Sequence, residues 1–284
     1  MNPYKEFVSD HVRLLRLGNK LPLGRPQKLP RRLPVSGRAP KALIFSPHPD
    51  DECIVGGLAL RLLRQAGWNV INVAVTLGSS PERRAGRWCE AKDACDLLGF
   101  DFVSANRVDL RPATRRENQP YWQKMVRNTA RLLRLTGPRV IFLPHAADGH
   151  PAHVGTHLLL LDALRTLPAA FRCYVVETEF WGAMAEPNLL VESSAADVAD
   201  LVAALACHAG EVRRNPYHVR LPAWLMDNVR RGAELVGGRG GAAPNFMFAT
   251  LYRLRRWSRG RPVEVLKHGK FLRAGDNPAG LFRG

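Results

Sequence analysis

The sequence lacks a long uncharged apolar run, so no membrane-spanning helix is expected among its 284 residues. Its first residues, MNPYKEFVSDHVRLLRLGNK, carry charge throughout and lack the apolar stretch that defines a secretory signal peptide. They read instead as an amphipathic helix over 1–18. We expect this helix to pack onto the domain, and contact with a membrane surface is the alternative.

Cysteine is also scarce, and its positions do not suggest pairing. The five cysteines are Cys53, Cys89, Cys95, Cys173 and Cys207, an odd number with no C-x-x-C spacing. That pattern argues against a disulfide framework and predicts a reducing, cytoplasmic compartment.

Acidic residues are too few to balance the basic ones. Lys and Arg number 42 against 25 Asp and Glu, which gives a net charge of +17 and a pI near 10.5. Such a balance favours anionic partners, although arginine-rich solvated surfaces would produce it equally well. The arginines are spread along the chain and no nucleic-acid-binding module is evident, so a nucleic-acid partner is disfavoured.

From residue 41 onward, apolar runs alternate with helical patterns. We predict strands at 41–46, 69–76, 101–105, 138–144 and 172–179, and helices at 56–67, 82–99, 119–137, 151–167 and 193–212. This alternation predicts an α/β fold: a Rossmann-like, mostly parallel sheet with helices on both faces. An N-terminal helix and Pro/Arg-rich arm (1–40) would precede the core (41–212). A C-terminal extension (213–284), with a strand or hairpin near 262–272, would complete the same domain.

Two polar clusters follow predicted strands. His48-Pro-Asp50-Asp51-Glu52 comes after the strand 41–46, and His150-Pro-Ala-His153 follows the strand 138–144. The carboxyl ends of parallel strands form the ligand-binding edge of such a sheet. Either cluster alone would more often be a group of solvated surface side chains than a functional site.

The spacing of the two clusters suits a metal. Residues three apart on one helical turn share a face, which pairs His48 with Asp51 and His150 with His153. Together the pairs can supply three ligands and leave a coordination position open, as in hydrolytic zinc sites. Asp50 and His150 then remain as candidates for proton transfer and charge stabilisation.

These stretches resemble the signatures of the PIG-L (LmbE-like) de-N-acetylase family. SPHPDDECIVGG resembles its His-Pro-Asp-Asp-Glu motif, and His150-Pro-Ala-His153 its His-Pro-Asp-His motif. Thr76-Leu-Gly78 and the Arg87-x-x-Glu90 helix are similar to two further family patterns. The resemblance covers roughly residues 41–210.

The resemblance implies a role for each matching residue. His48, Asp51 and His153 would bind Zn²⁺ or Fe²⁺, Asp50 would be the general base, and His150 would steady the oxyanion or protonate the leaving amine. Arg87 and, on a looser pattern, Asp109 would contact the sugar. Arg87 would otherwise pair with Glu90 or Asp93 on the helix surface, and Asp109 would cap a loop.

Three further residues carry expectations of their own. We expect Glu52 to lie behind the ligands or at the following helix N-terminus, and Cys53 to be a small buried residue rather than a ligand. His208 is expected at the surface, and a position lining the pocket from the last helix is the alternative.

One position departs from the family pattern. Ala152 stands where the family usually has aspartate, a residue that would fix the tautomer of the His150 equivalent and raise its pKa. Asp148 is a candidate to take over that orienting role.

The predicted function is that of a metal-dependent hydrolase that removes the acetyl group from an N-acetylglucosamine-type substrate. This substrate class includes anionic, lipid-linked and nucleotide-linked sugars. Two alternatives stay open. The same site could hydrolyse the amide of a thiol conjugate or antibiotic precursor, or the chain could be a nucleic-acid-binding α/β protein with a vestigial cluster. A phosphoesterase that holds two metals is disfavoured, because it would need more carboxylates than the sequence offers at matching strand ends. Oligomerisation is left open.

Overall fold

The computed structural model describes residues 2–107 and 110–283. Its strands form one sheet, and the prediction of an α/β fold with a mostly parallel sheet is confirmed. The strands are β1 (Lys41–Ser46), β2 (Asn69–Thr76), β3 (Asp101–Arg107), β4 (Val140–Pro144), β5 (Cys173–Thr178), β6 (Leu189–Ser193), β7 (Phe248–Ser258), β8 (Arg261–Glu264) and β9 (Lys270–Leu272).

Helices cover both faces of the sheet. They are α1 (Lys5–Gly18), α2 (Asp51–Ile54), α3 (Gly57–Ala66), α4 (Arg84–Leu98), α5 (Thr114–Glu117), α6 (Gln119–Thr136), α7 (Pro151–Arg165), α8 (Ala195–Cys207), α9 (Ala209–Val212) and α10 (Leu221–Leu235). None of these helices is long and apolar enough to cross a bilayer.

The order of the strands places the two motif loops side by side. The sheet runs β3-β2-β1-β4-β5-β7-β6-β9, with β8 beside β7, and β1 is parallel to both β2 and β4. Chain order therefore reverses between β1 and β4, which makes this the switch point where α/β sheets bind ligands. The loops after β1 and β4 open at this point.

β1 shows why its sequence reads as an uninterrupted apolar run. Ala42 and Ile44 belong to the hydrophobic cluster on one face of the sheet, and Leu43 and Phe45 to the cluster on the other. Successive side chains alternate between faces, so a strand covered on both sides is apolar at every position.

The C-terminal part of the sheet differs from the expectation. β6, α10 and the long strand β7 were not predicted, and β7 runs antiparallel to both β5 and β6. The sequence of β7 hides its strand character because arginines interrupt the apolar pattern. Two of these side chains are neutralised across the sheet, Arg253 by Glu264 and Arg255 by Glu177.

Two helix predictions need correction. The helix predicted over 193–212 breaks at His208, whose ψ of 54° separates α8 from α9. The expectation that α1 packs onto the domain holds only at its C-terminal end: none of its residues is fully buried against the described part of the chain, and Leu15 and Gly18 are half-buried, with Gly18 against Val219.

Candidate active site

The loop after β1 is held in place by the end of β2. Thr76 donates a hydrogen bond from Oγ1 to the carbonyl oxygen of Pro47 at 2.7 Å, and its backbone N–H donates to the same oxygen at 3.1 Å. The loop then turns directly into α2, whose first residue is Asp51. The Thr-x-Gly pattern at the end of β2 therefore positions the His-Pro-Asp-Asp loop.

Three donor atoms converge between this loop and the first turn of α7. His48 Nδ1 lies 3.2 Å from His153 Nε2, and Asp51 Oδ2 lies 3.6 Å from the first nitrogen and 3.5 Å from the second. Donor atoms about 2.0–2.1 Å from one tetrahedral ion are about 3.3 Å apart. The three predicted ligands thus fit a single small divalent cation.

The electrostatics of the cluster also suit a cation. Burial raises the pKa of Asp51, but His153 and His48 outweigh it, so the pKa is lowered and the carboxylate stays charged. Asp51 and His153 are both buried. Uncompensated charge in such a place is costly, and a divalent ion would compensate the carboxylate without protonating the rings.

His150 stands beside this cluster, and one of its ring nitrogens lies within 4.8 Å of a ring nitrogen of His48 and of His153. Its Nδ1 accepts a hydrogen bond from the backbone N–H of Ala152 at 3.2 Å. An accepting Nδ1 carries no proton, so the ring is neutral with its proton on Nε2. Burial and the rings of His48 and His153 lower the pKa of His150. This geometry suits a hydrogen-bond donor better than a general acid.

Asp148 does not orient the His150 ring, which corrects the expectation for this residue. Its Oδ1 accepts from the His150 backbone N–H at 3.0 Å and lies 3.3 Å from His153 Nδ1, while Oδ2 accepts from the Trp181 N–H at 3.1 Å. Burial raises the pKa of Asp148, but these contacts outweigh it and hold the pKa at about 2. A carboxylate on the far nitrogen of a ligand histidine fixes its tautomer and orientation.

Asp50 adopts a backbone conformation that its residue type rarely takes. Its φ is +116°, and its N–H donates to Glu52 Oε2 at 3.1 Å. Its carboxylate accepts from the Tyr217 hydroxyl at 2.5 Å. Burial and the neighbouring charge of Asp51 raise the pKa of Asp50 to about 6. Strain held by surrounding contacts is a common feature of reactive sites.

Glu52 lies behind the cluster and forms a fully buried ion pair with His208 at 2.8 Å. His208 is therefore buried, and the expectation that it lies at the surface is wrong. Cys53 is buried beside this pair, and the three side chains form a second group with metal-binding chemistry. The carboxylate and imidazole already satisfy each other here, so we interpret the group as an ion pair.

Arg87 reaches the site from α4 and does not pair with Glu90 or Asp93. It donates from Nη2 to the Pro49 carbonyl oxygen at 3.0 Å and lies 3.9 Å from Asp50 and 3.6 Å from Glu211. A Cβ atom at Gly78 would lie 2.4 Å from Arg87 Nη1, and Gly78 has a φ of +87°. Glycine at this position gives the guanidinium its path to the loop.

A cavity of about 790 Å³ opens over these residues. Its wall combines aromatic side chains with arginines. The lining includes Phe180, Trp181, Tyr217, Trp224, Arg84, Arg111, Arg214 and Arg220. Sequence reasoning missed Tyr217, Glu211 and Trp224, which come from the region after residue 207 and carry no motif. Asp109 lies outside the described residues.

The fold and the donor cluster define an α/β protein with a candidate metal site at the switch point of its sheet. The fold is shared with N,N'-diacetylchitobiose deacetylase from Pyrococcus horikoshii (TM-score 0.57, 17% identity, covering 92% of this chain and 96% of that one). It is also shared with 4-carboxy-2-hydroxymuconate hydratase from Pseudomonas putida KT2440 (TM-score 0.58, 17% identity, covering 76% and 96%).

A family model matches part of the chain. Residues 43–164 match the family described as GlcNAc-PI de-N-acetylase, PIG-L, so the resemblance stated for the motifs is confirmed over this segment. A curated relative, 1D-myo-inositol 2-acetamido-2-deoxy-alpha-D-glucopyranoside deacetylase from Mycobacterium leprae, is 27% identical over 172 residues. The match covers 50% of this chain and 56% of the relative, so the chain spans about half the length of that protein.

Proposed function

We propose that this chain is a metal-dependent hydrolase that removes the acetyl group from an N-acetylglucosamine-type amino sugar. The observation that carries the proposal is the convergence of His48 Nδ1, His153 Nε2 and Asp51 Oδ2 within 3.6 Å of one another. Asp50 and His150 lie next to them. The PIG-L match and the deacetylase activity in the name of the curated relative support the same reaction.

The donor set defines what the site would hold. His48, His153 and Asp51 would bind Zn²⁺ or Fe²⁺, since both cations accept imidazole and carboxylate ligands. When bound, such an ion activates water and polarises a carbonyl group. The remaining steps belong to the chain's own side chains.

Asp50 is the proposed general base. Its raised pKa keeps the carboxylate basic enough to take a proton near neutral pH. The Tyr217 hydroxyl and the Arg87 guanidinium contact the same carboxylate and fix its direction. Asp50 then holds the proton that the departing amine requires, which closes the proton balance of amide hydrolysis.

His150 is the proposed donor to the carbonyl oxygen. Its Nδ1 is occupied by the N–H of Ala152, so its proton lies on Nε2. A fixed donor at the oxygen on which charge develops stabilises the tetrahedral intermediate. The missing aspartate at position 152 therefore removes the acid role of this ring and leaves its donor role intact.

The cavity suggests a substrate larger than one sugar ring. Pockets for drug-sized ligands span about 300–1,000 Å³, and this cavity of about 790 Å³ lies towards the upper end. Trp181 and Trp224 offer apolar faces, and Arg84 and Arg220 offer positive charge. We infer an amino sugar joined to a further group that carries negative charge.

The principal alternative is hydrolysis of the amide of a thiol conjugate or an antibiotic precursor by the same residues. The fold shared with a hydratase shows that fold alone does not fix the reaction.

All five cysteines are free thiols and four are buried, which supports the proposal that the chain works in a reducing, cytoplasmic compartment.

Acetate release from a panel of N-acetylated amino sugars, free and conjugated, tests the proposal. The metal-loaded protein should release acetate from at least one member. Asp50→Asn should lower that rate by about 10²–10⁴-fold, the usual contribution of a general base, with unchanged metal content. Asp227→Asn, at an exposed position on α10, is the matched control. No acetate from any sugar, with acid release from amide conjugates instead, would favour the alternative.

A further inference from the structure

The apolar face of α1 is uncovered along most of its length among the described residues, and Leu15 and Gly18, near its C-terminal end, are half-buried. Phe7 is 62% exposed, Leu14 64% and Tyr4 69%. Val8 and Val12 are exposed on the same helix. A helix that belonged only to this domain would turn such a face towards the core, so this face fits a surface outside the chain.

The helix is amphipathic around its axis. At 100° per residue, Leu14, Phe7, Tyr4, Val8 and Val12 share one arc of the surface. The opposite arc is polar and mostly charged, and contains Lys5, Glu6, Ser9, Asp10, Arg13 and Arg16, with Leu17 among them. Aromatic and aliphatic residues on one side with basic residues on the other are typical of helices that lie in a bilayer interface.

The position of α1 connects this face to the catalytic cavity. Gly18 packs closely on Val219, since a Cβ at Gly18 would lie 2.9 Å from Val219 Cγ1. Val219 belongs to the short turn Tyr217–Arg220, which lines the cavity. Trp181, another lining residue, is 67% exposed, and tryptophan is favoured at membrane interfaces.

The charge of this N-terminal region indicates which kind of surface α1 would contact. Residues 1–20 contain four Lys and Arg and two Asp and Glu, whereas Arg25 and Arg32, further along the arm, pair with Asp93 and Asp101 of the domain. Basic segments are attracted to anionic lipid headgroups. A second copy of the chain is a poorer occupant, because each copy carries a net charge of +17 and the two basic segments would repel each other.

We propose that α1 docks the protein on an anionic lipid bilayer, with the face formed by Tyr4, Phe7, Val8, Val12 and Leu14 in the headgroup layer. The basic residues Lys5, Arg13, Arg16 and Lys20 contact the lipid phosphates. Docking holds the cavity next to the membrane surface. The inference does not depend on the reaction that the cavity catalyses.

Sedimentation of the full chain with vesicles tests this docking. Vesicles of phosphatidylcholine alone are compared with vesicles that also contain phosphatidylglycerol. We expect binding to the anionic vesicles that weakens as salt is raised. The double variant Phe7→Glu/Leu14→Glu should lose at least about tenfold in partitioning, because two charges would enter the interface.

The matched control is Leu135→Glu, which introduces the same charge at a position that is 73% exposed on α6. This variant should bind vesicles almost as well as the wild type. Both variants should keep the wild-type melting temperature, since the replaced side chains are exposed. A melting temperature that drops only in the double variant would show that its face packs within the protein and would overturn the proposal.

Two other outcomes also contradict the proposal. Equal binding of the double variant and the wild type would show that α1 does not dock. A wild-type dimer in sedimentation velocity, lost in the double variant and accompanied by no vesicle binding, would assign the face to a second copy. Vesicle binding with no acetate release from any sugar would leave the docking intact and refute the proposed function alone.

Discussion

Two regions build the candidate site, and they encode it differently. The loops after β1 and β4 carry His48, Asp50, Asp51 and His153 in short motifs at adjacent strand ends. The segment 208–224 carries Tyr217 and other lining residues with no recognisable pattern. The first region is organised by local sequence and sheet topology, the second by contacts that only the folded chain creates. The candidate reactive residues of the first region can therefore be recognised from the sequence. The residues of the second region that surround them can be identified only from the folded structure.

The buried pair Glu52–His208 joins the two regions, and breaking it should give the largest effect on stability. Glu52→Gln leaves His208 without its charged partner in a fully buried place. Loss of one member of such a pair costs about 3–5 kcal/mol. Urea unfolding should show this loss, and Glu234→Gln, at an exposed position on α10, should not. An unfolding free energy equal to that of the wild type would mean that the regions do not depend on this contact.

The same pair gives a pH dependence with a defined sign. Burial lowers the pKa of His208, but the charge and hydrogen bond of Glu52 outweigh it, so the pKa is raised. The pair's contribution is then fully present below the unfolded pKa of about 6.5 and is lost as pH rises through the folded pKa. The stability difference between wild type and Glu52→Gln should be larger at pH 6 than at pH 9.

Asp148 belongs to the first region and contacts the ring of His153. Its carboxylate lies 3.3 Å from His153 Nδ1, so Asp148→Asn should weaken metal affinity by about 10–100-fold, the usual effect of losing such a partner. At saturating metal the rate should recover largely. Competition with a chelator measures the affinity, and Asp227→Asn is again the control. Normal affinity with a low rate at saturation would restore the role first assigned to Asp148 as an orienting partner of His150.

A substitution at Tyr217 tests the second region, and we expect a smaller effect from it than from the preceding variants. Tyr217→Phe removes the hydroxyl that donates to Asp50 and keeps the ring in the cavity wall. Loss of one hydrogen bond of about 1 kcal/mol lowers the rate by about five- to tenfold. The metal content should stay unchanged. Tyr4→Phe, at an exposed position, is the control, and an unchanged rate would show that the C-terminal segment only bounds the cavity.

The sequence predicted the parallel half of the fold well. β1 and β2 begin and end where their apolar runs do, because both faces of these strands are buried. The convergence of His48, Asp51 and His153 was predictable as well, since parallel topology brings the ends of β1 and β4 together. Arg87 was predictable only through the family pattern, because its spacing also permits a surface ion pair.

The features that the sequence did not predict depend on contacts between residues that are far apart in the chain. His208 is buried only because Glu52, far away in the chain, neutralises it. β7 pairs along its length with β5 and β6, which are distant in the chain, and glutamates on other elements pair with two of its arginines. The direction of the Asp148 carboxylate towards His153 depends on how the loop folds, which spacing alone does not define. Each is a property of the packed structure rather than of any short segment.

The most direct test of the central claim is the metal content of the purified protein beside His153→Ala, with His268→Ala at an exposed position as the control. We expect about one divalent ion per chain in the wild type and in His268→Ala, since three protein ligands bind one ion, and almost none in His153→Ala. Equal metal in all three proteins, or none in the wild type after incubation with Zn²⁺ or Fe²⁺, would contradict the metal site on which the proposed hydrolase rests.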